Sequence, residues 1–127
     1  MASDEEWYVL VEANHGTSDT TWNLEEKRHV VGGRAAALSR AEEICRTWCP
    51  DGWKPEECGR TVFEVSESSW LVEVTKEWWY ESDNRAYTRK EHFRVAAGRL
   101  VHAKETPPAH PPEKKAGAIR RAFGGGR

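Results

Sequence analysis

The stretch WLVEVTKEWWYESDNRAYTRKEHFRVAA, residues 70–97, decides the fold of this chain. Hydrophobic and polar residues alternate along both of its halves, which is the pattern of β-strands that bury one face. Between the halves lies SDNR, residues 82–85, a group of residues that favour turns. The stretch therefore predicts an antiparallel hairpin with strands near 70–80 and 86–96.

A four-residue loop at 82–85 also predicts the register of this hairpin. Three pairs follow from it, each joining two apolar or two oppositely charged side chains: Val74 with Phe93, Glu73 with Arg94, and Lys76 with Glu91. Such cross-strand pairs stabilise an antiparallel sheet. A slip by one residue would turn the inward side chains outward, so the pattern specifies the register strongly.

The same alternation extends the hairpin in both directions. A loop at 66–69 predicts a preceding strand near 61–65. Its predicted pairs with the next strand are Val65 with Trp70 and Phe63 with Val72. A tight turn at Ala97–Gly98 predicts a last strand near 99–104, which completes an antiparallel meander of four strands.

The N-terminal half predicts two more strands and one helix. EWYVLVEA, residues 6–13, and TWNLEEKRHVV, residues 21–31, are typical of strands joined in a hairpin. RAAALSRAEEICRTW, residues 34–48, carries one apolar stripe at helical spacing and ends before Pro50. The element order is ββαββββ, and the predicted fold class is α+β: a curved antiparallel sheet wrapped around a single helix.

The length of 127 residues fits one domain, which we place at residues 1–104. Residues 105–127 begin with ETPPAHPP, where four prolines in six residues exclude a sheet strand and favour an extended linker. The rest of this segment has too few apolar residues to form a core. We predict that residues 105–127 are a Pro-rich, basic, disordered tail.

Charge is distributed unevenly along the chain. Residues 1–103 carry 19 acidic and 13 basic side chains, whereas residues 104–127 carry 2 acidic and 6 basic ones. An acidic body does not favour nucleic-acid binding, so such contacts are expected only weakly, through the tail. No apolar run approaches the ~20 residues that span a bilayer, so no membrane partner is expected.

The segment CRTWCPDGWKPEEC, residues 45–58, contains all three cysteines: Cys45, Cys49 and Cys58. A C-x₃-C pair and one further cysteine do not match the paired spacing of structural zinc sites. Cys45 also falls on the apolar stripe of the helix, where cysteine acts as a small hydrophobic residue. We expect structural thiols and no cofactor, with a zinc-stabilised domain and a Cys49–Cys58 disulfide as alternatives.

Two adjacent tryptophans in the predicted strand at 70–80 identify a candidate binding surface. Trp78 and Trp79 must point to opposite faces of a regular strand, and one helix covers only one face. The predicted interaction surface on the uncovered face consists of Trp79, Leu71, Tyr8 and Leu10. A short amphipathic segment of the tail is a predicted second contact, through Ile119, Arg120, Arg121 and Phe123.

These features favour a non-catalytic binding or adaptor module whose partner is another protein or a second copy of the chain. The sequence has no Gly-rich phosphate loop, no Ser-His-Asp order and no H-E-x-x-H, so no catalytic residue is assigned. The alternative is a small-ligand-binding or enzymatic α+β roll with its site between helix and sheet. The lack of a secretory signal and the odd cysteine count predict a cytoplasmic location.

Overall fold

The computed structural model describes residues 5–15 and 21–111, in which five antiparallel strands form one sheet beside one long helix. This arrangement confirms the predicted α+β class. A short 3₁₀ turn, Pro55–Glu57, follows the helix. The other elements, in chain order, are β1 (Trp7–His15), β2 (Thr21–Val30), α1 (Gly33–Thr47), β3 (Gly59–Ser66), β4 (Ser69–Tyr80) and β5 (Arg85–Arg99).

The strand order across the sheet is β2-β1-β5-β4-β3, so the last strand in the chain is the central one. The predicted turn at Ala97–Gly98 and the separate strand at 99–104 are wrong. Instead β5 continues to Arg99 because β1 lies beside it and pairs with its whole C-terminal half, including Tyr8 with Gly98. The described chain therefore has five strands and not six.

The predicted register of the β4–β5 hairpin is wrong by two residues. Val72 lies opposite Phe93, Glu73 opposite His92, and Lys76 opposite Arg89. The loop occupies residues 81–84, one residue earlier than predicted, and Asn84 adopts a positive φ of 52°, which asparagine tolerates better than most residues. Because side chains alternate with a period of two, the shift changes every pair and leaves each side chain on its predicted face.

The β3–β4 register differs from the prediction by one residue. Val62, and not Phe63, lies opposite Val72, and Phe63 lies opposite Leu71. The cause is a β-bulge between Glu64 and Ser66, which adds one residue to β3 near the turn. An odd shift exchanges the two faces of a strand, so Phe63 lies on the face opposite to the predicted one.

Helix α1 covers one face of the sheet, called the inner face below, and the uncovered face is called the outer face. The fully buried side chains of the core come from both layers: Val9, Val11, Ile44, Cys45, Val72, Val74, Phe93 and Val95. Each contributes roughly 1.5–3 kcal/mol by leaving water. Trp48, just after α1, packs its ring on Phe93 with a centroid distance of 4.6 Å, as its place on the predicted stripe implies.

The chain turns from β2 into α1 at Gly32, which has a φ of 120°. A Cβ atom there would lie 2.8 Å from the Cβ of Ala36, so both the backbone conformation and the space require glycine. Within the part of the chain that the structure describes, no helix is long and apolar enough to cross a bilayer.

Candidate binding surface

The β4–β5 hairpin projects beyond the rest of the sheet. Pairing between β3 and β4 ends at Thr75, and pairing between β1 and β5 begins at Phe93. Residues 76–92 therefore form a two-stranded projection, called the arm below, that has no neighbouring strand on either side among the described residues. Its outer edges carry backbone N–H and C=O groups that are not used in a sheet.

Aromatic rings and guanidinium groups alternate on the inner-face side of the arm. Trp78 lies opposite Tyr87, and the rings of Tyr80 and Tyr87 meet edge-on with centroids 5.0 Å apart. The guanidinium of Arg85 lies 4.6 Å from the centre of the Tyr87 ring, and that of Arg89 lies 5.9 Å from the Trp78 ring. The three rings and Arg89, together with Asp83, line an open depression of about 650 Å³.

The segment between α1 and β3 supports the base of the arm. The indole of Trp53 contacts that of Trp78 edge-on, with centroids 5.9 Å apart. Beside it, Lys76 Nζ lies 3.4 Å from Glu57 Oε1 and 5.2 Å from the centre of the Trp78 ring. This contact was not predicted, because nothing in the local sequence pattern links a loop tryptophan to a strand more than twenty residues away.

Trp79 lies on the other face of the arm, as predicted from its alternation with Trp78. Trp79 is 61% exposed. Its neighbour Tyr80, which lies on the inner-face side, is 52% exposed. Leu71 is on the same strand and the same face, but eight residues earlier, which corresponds to about 26 Å along the strand. The structure therefore places Trp79 and Leu71 on two separate parts of the outer face.

Tyr8 and Leu10 lie near Leu71 and far from Trp79. Leu10 pairs with Ala96 and Leu71 pairs with Arg94, so the two leucines lie on either side of the central strand. Tyr8 and Leu10 also line an open depression of about 660 Å³ together with the segment 98–103. The predicted tail residues lie outside the described part of the chain: Ile119, Arg120, Arg121 and Phe123.

The edge strand β3 presents apolar side chains that the sequence analysis assigned to the wrong face. Phe63 is 54% exposed and Val65 is 65% exposed. The alternation of GRTVFEVS identified a strand, but it carried no signal for the bulge that reverses the faces. Another outer-face group was missed as well: the guanidinium of Arg94 lies 4.0 Å from the ring centre of Trp22.

The three cysteines divide into one buried thiol and one pair. Cys45 belongs to the core, and burial raises the pKa of its thiol to about 11. Burial raises the pKa of the Cys58 thiol and nearby Cys49 raises it further, and Arg60 Nη2 donates to the Cys49 sulfur at 3.1 Å. No group of three or more His, Cys, Asp or Glu side chains within residues 5–15 and 21–111 is arranged to hold a metal ion.

The layer between α1 and the sheet is where the alternative hypothesis places a small ligand. Side chains of the core occupy this layer, and Val9, Phe93 and Ile44 within it are almost completely inaccessible to solvent. Both depressions described above open on other surfaces, at the arm and beside Tyr8. Ligand binding between helix and sheet stays a prediction.

No protein-family model matches this sequence. Comparison with curated proteins finds no significant similarity, and comparison with solved structures finds none either. The chemistry of the described surface is therefore the source of functional information for this chain.

Proposed function

We propose that this protein is a non-catalytic binding module that engages another protein through the arm, residues 76–92. The observation that carries the proposal is the exposure of Trp79 and Tyr80 on a projection whose two edges have no neighbouring strand among residues 5–15 and 21–111. Large aromatic side chains gain free energy by leaving water, and residues on an open projection can do so only against a partner.

The composition of the arm is that of an interface centre. Trp, Tyr and Arg dominate the energetics of protein interfaces, and the arm carries two of each. Arg85 and Arg89 already lie over aromatic rings, so less side-chain entropy is lost when a partner binds them. Arg89 already bonds Glu91 Oε2 through Nε at 3.0 Å and Nη2 at 2.9 Å, which leaves its Nη1 and the guanidinium of Arg85 to donate to the carboxylates of a partner.

The partner that fits this surface is an extended segment with acidic and aromatic residues. Its backbone would pair with a free edge of the arm, as in β-strand addition, and its carboxylates would meet Arg85 and Arg89. The basic tail is proposed as a second contact, and the cytoplasm as the compartment. An odd number of cysteines supports a reducing compartment, since three thiols cannot all pair within one chain.

Site-specific photo-crosslinking tests the proposal. The crosslinking residue p-benzoylphenylalanine would replace Trp79 or Tyr80 in the full chain inside cells of its native source. Val31, which is 85% exposed and lies between β2 and α1, is the matched control position. We expect an adduct of defined mass at the two arm positions and none at Val31. The adduct's contact peptide should contain acidic and aromatic residues.

Two outcomes contradict the proposal. Adducts of equal yield at Val31 would mean that the arm has no special affinity. Adducts with twice the mass of the chain would show that the arm binds a second copy of the chain and not a separate partner. With the captured partner in hand, Trp79→Ala should weaken binding by about 2 kcal/mol or more while the melting temperature stays nearly unchanged.

A second candidate function is binding of a small apolar ligand beside Tyr8. The observation in its favour is the depression of about 660 Å³ that Tyr8, Leu10 and residues 98–103 line on the outer face. Pockets of this size and lining accommodate drug-sized molecules. A fluorescent apolar probe should bind with micromolar affinity and lose it in Leu10→Asp, whereas Trp79→Ala should have no effect on this binding.

A further inference from the structure

Cys49 and Cys58 are a pair of chemically reactive side chains that the proposed binding function does not use. Cys49 follows the end of α1, and Cys58 precedes β3, at the other end of a loop of residues 49–58. Cys58 has an extended backbone two residues before Arg60, so these two side chains point to the same side, where Arg60 Nη2 bonds the Cys49 sulfur at 3.1 Å. The Cys58 thiol donates to the Lys54 carbonyl at 3.2 Å. Both cysteines are free and only partly buried, so oxidants in solution can reach them.

Arg60 connects this pair to the end of the helix. Its Nη1 donates to the carbonyls of Cys45 at 3.0 Å and Trp48 at 2.7 Å, and its Nη2 donates to the Cys49 sulfur at 3.1 Å. The carbonyl end of a helix disfavours a thiolate. Here the guanidinium lies between those carbonyls and the sulfur, and it places a positive charge and a hydrogen-bond donor beside Cys49.

We propose that Cys49 and Cys58 form a redox-active dithiol, in which Cys49 reacts first with a low-molecular-weight disulfide and Cys58 completes an intramolecular disulfide. Arg60 is the positioning residue that holds the Cys49 sulfur through its Nη2. The proposal does not depend on the binding function of the arm, because it rests on contacts among these three side chains.

The reaction balances in two exchange steps. The Cys49 thiolate attacks one sulfur of glutathione disulfide, which forms a Cys49–glutathione bond and releases one glutathione thiolate. Cys58 then loses its proton to solvent and attacks the Cys49 sulfur, which releases the second glutathione as thiolate. The protein is oxidised by two electrons, and one glutathione disulfide is reduced to two glutathione molecules.

The roles of the two cysteines differ because their surroundings differ. Burial, and after it the proximity of Cys49, raise the pKa of Cys58, which favours its neutral thiol. Arg60 contacts the Cys49 sulfur directly. Cys45 takes no part, because its side chain is enclosed in the core and solvent reaches only 1% of it.

The experiment uses the reduced full chain with glutathione disulfide as the probe. Remaining thiols would be alkylated, and peptide mass spectrometry would map the products. We expect a Cys49–Cys58 disulfide, with Cys45 still a thiol. In Cys58→Ser the Cys49–glutathione adduct should accumulate, whereas Cys49→Ser should react slowly and give little adduct at Cys58.

The role of Arg60 has its own test. Arg60→Gln should slow formation of the adduct at Cys49 by roughly threefold or more, since it removes the cation that contacts the attacking sulfur. Arg60→Lys should restore part of the rate because it keeps the charge. In concentrated urea all three proteins should react equally, which separates an electrostatic effect from a difference in intrinsic reactivity.

Several results would overturn the proposal. Stable glutathione adducts on both cysteines without ring closure would show that the sulfurs do not meet. A predominance of disulfide-linked dimers on a non-reducing gel would show that each thiol reacts with another chain. Equal rates for the folded wild-type protein and folded Arg60→Gln would remove the positioning role.

Discussion

The indole of Trp53 meets the indole of Trp78 edge-on, and their ring centroids are 5.9 Å apart. This contact joins the loop after α1 to the first residues of the arm beyond the main sheet. An isolated two-stranded ribbon is marginally stable in water, so an arm of this length needs support at its base. Trp53 and the Glu57–Lys76 ion pair provide that support from the helix side.

Trp78→Ala should therefore destabilise the fold more than Trp79→Ala. Trp78 is partly buried under Trp53, so we expect its truncation to lower the free energy of unfolding by about 2–3 kcal/mol, below the ~3–5 kcal/mol of a fully buried tryptophan. Trp79→Ala should lower it by less than about 1 kcal/mol. Urea denaturation measures both values. Equal losses would mean that the two faces of the arm are equally enclosed.

Acid stability should depend on Glu26. Its carboxylate accepts hydrogen bonds from Arg28 and from Trp48 Nε1, and the pKa of Glu26 is lowered, chiefly by Arg28, although burial opposes the shift. A lowered folded-state pKa contributes stability that is present above the unfolded value, about 4.3 for glutamate. That contribution is lost as the pH falls through the folded-state pKa.

The comparison of the wild-type protein with Glu26→Gln tests the direction of this pH dependence of stability. Between about pH 5 and pH 3 the urea midpoint should fall more steeply in the wild-type protein, because glutamine does not titrate. Glu43→Gln removes the same charge from the exposed side of α1 and serves as the control. An identical pH profile for the wild-type protein and Glu26→Gln would contradict the prediction.

Gly59 at the start of β3 should tolerate alanine poorly. A Cβ atom at this position would lie 2.6 Å from Thr75 Oγ1 on the neighbouring strand. We expect Gly59→Ala to cost about 1–2 kcal/mol, as overpacking commonly does. Adding Thr75→Ala should recover part of the loss, and a double-mutant cycle measures this coupling. Additive losses would show that the close approach is not the cause.

The exposed edge strand β3 should promote association at high concentration. Phe63 is 54% exposed on a strand whose outer edge has no neighbouring strand among the described residues. A lysine on such an edge opposes edge-to-edge pairing. Phe63→Lys should therefore reduce the concentration dependence of light scattering with little change in melting temperature. Leu24→Lys, on the opposite edge strand β2, is the matched comparison.

Alternation of apolar and polar residues was sufficient to predict the α+β class, the helix and the inward-facing side chains of β4 and β5. The alternation did not determine which residues lie opposite each other on neighbouring strands. A loop that begins at Glu81 and one that begins at Ser82 leave every side chain of β4 and β5 on the same face. The alternation of apolar and polar residues therefore cannot distinguish Val72 from Val74 as the partner of Phe93.

The remaining errors have a different physical origin. The bulge beside Ser66 and the pairing of β1 with β5 both depend on contacts that are distant in sequence. Among the candidate binding residues, the alternation with Trp78 was enough to predict the face that carries Trp79. Its separation from Leu71 by most of β4 could be predicted only from the length of the strand. Whether these residues bind a partner stays a prediction.

The central position of β5 has a consequence for folding during synthesis. Trp7 pairs with Arg99, so the first described strand is joined to the last one although the two residues are 92 positions apart in the sequence. Until Arg99 has left the ribosome, β1 lacks one neighbour and the apolar side of α1 faces an incomplete sheet. A nascent chain arrested before residue 93 should therefore remain sensitive to protease throughout, and resistance should appear in a single step once β5 emerges.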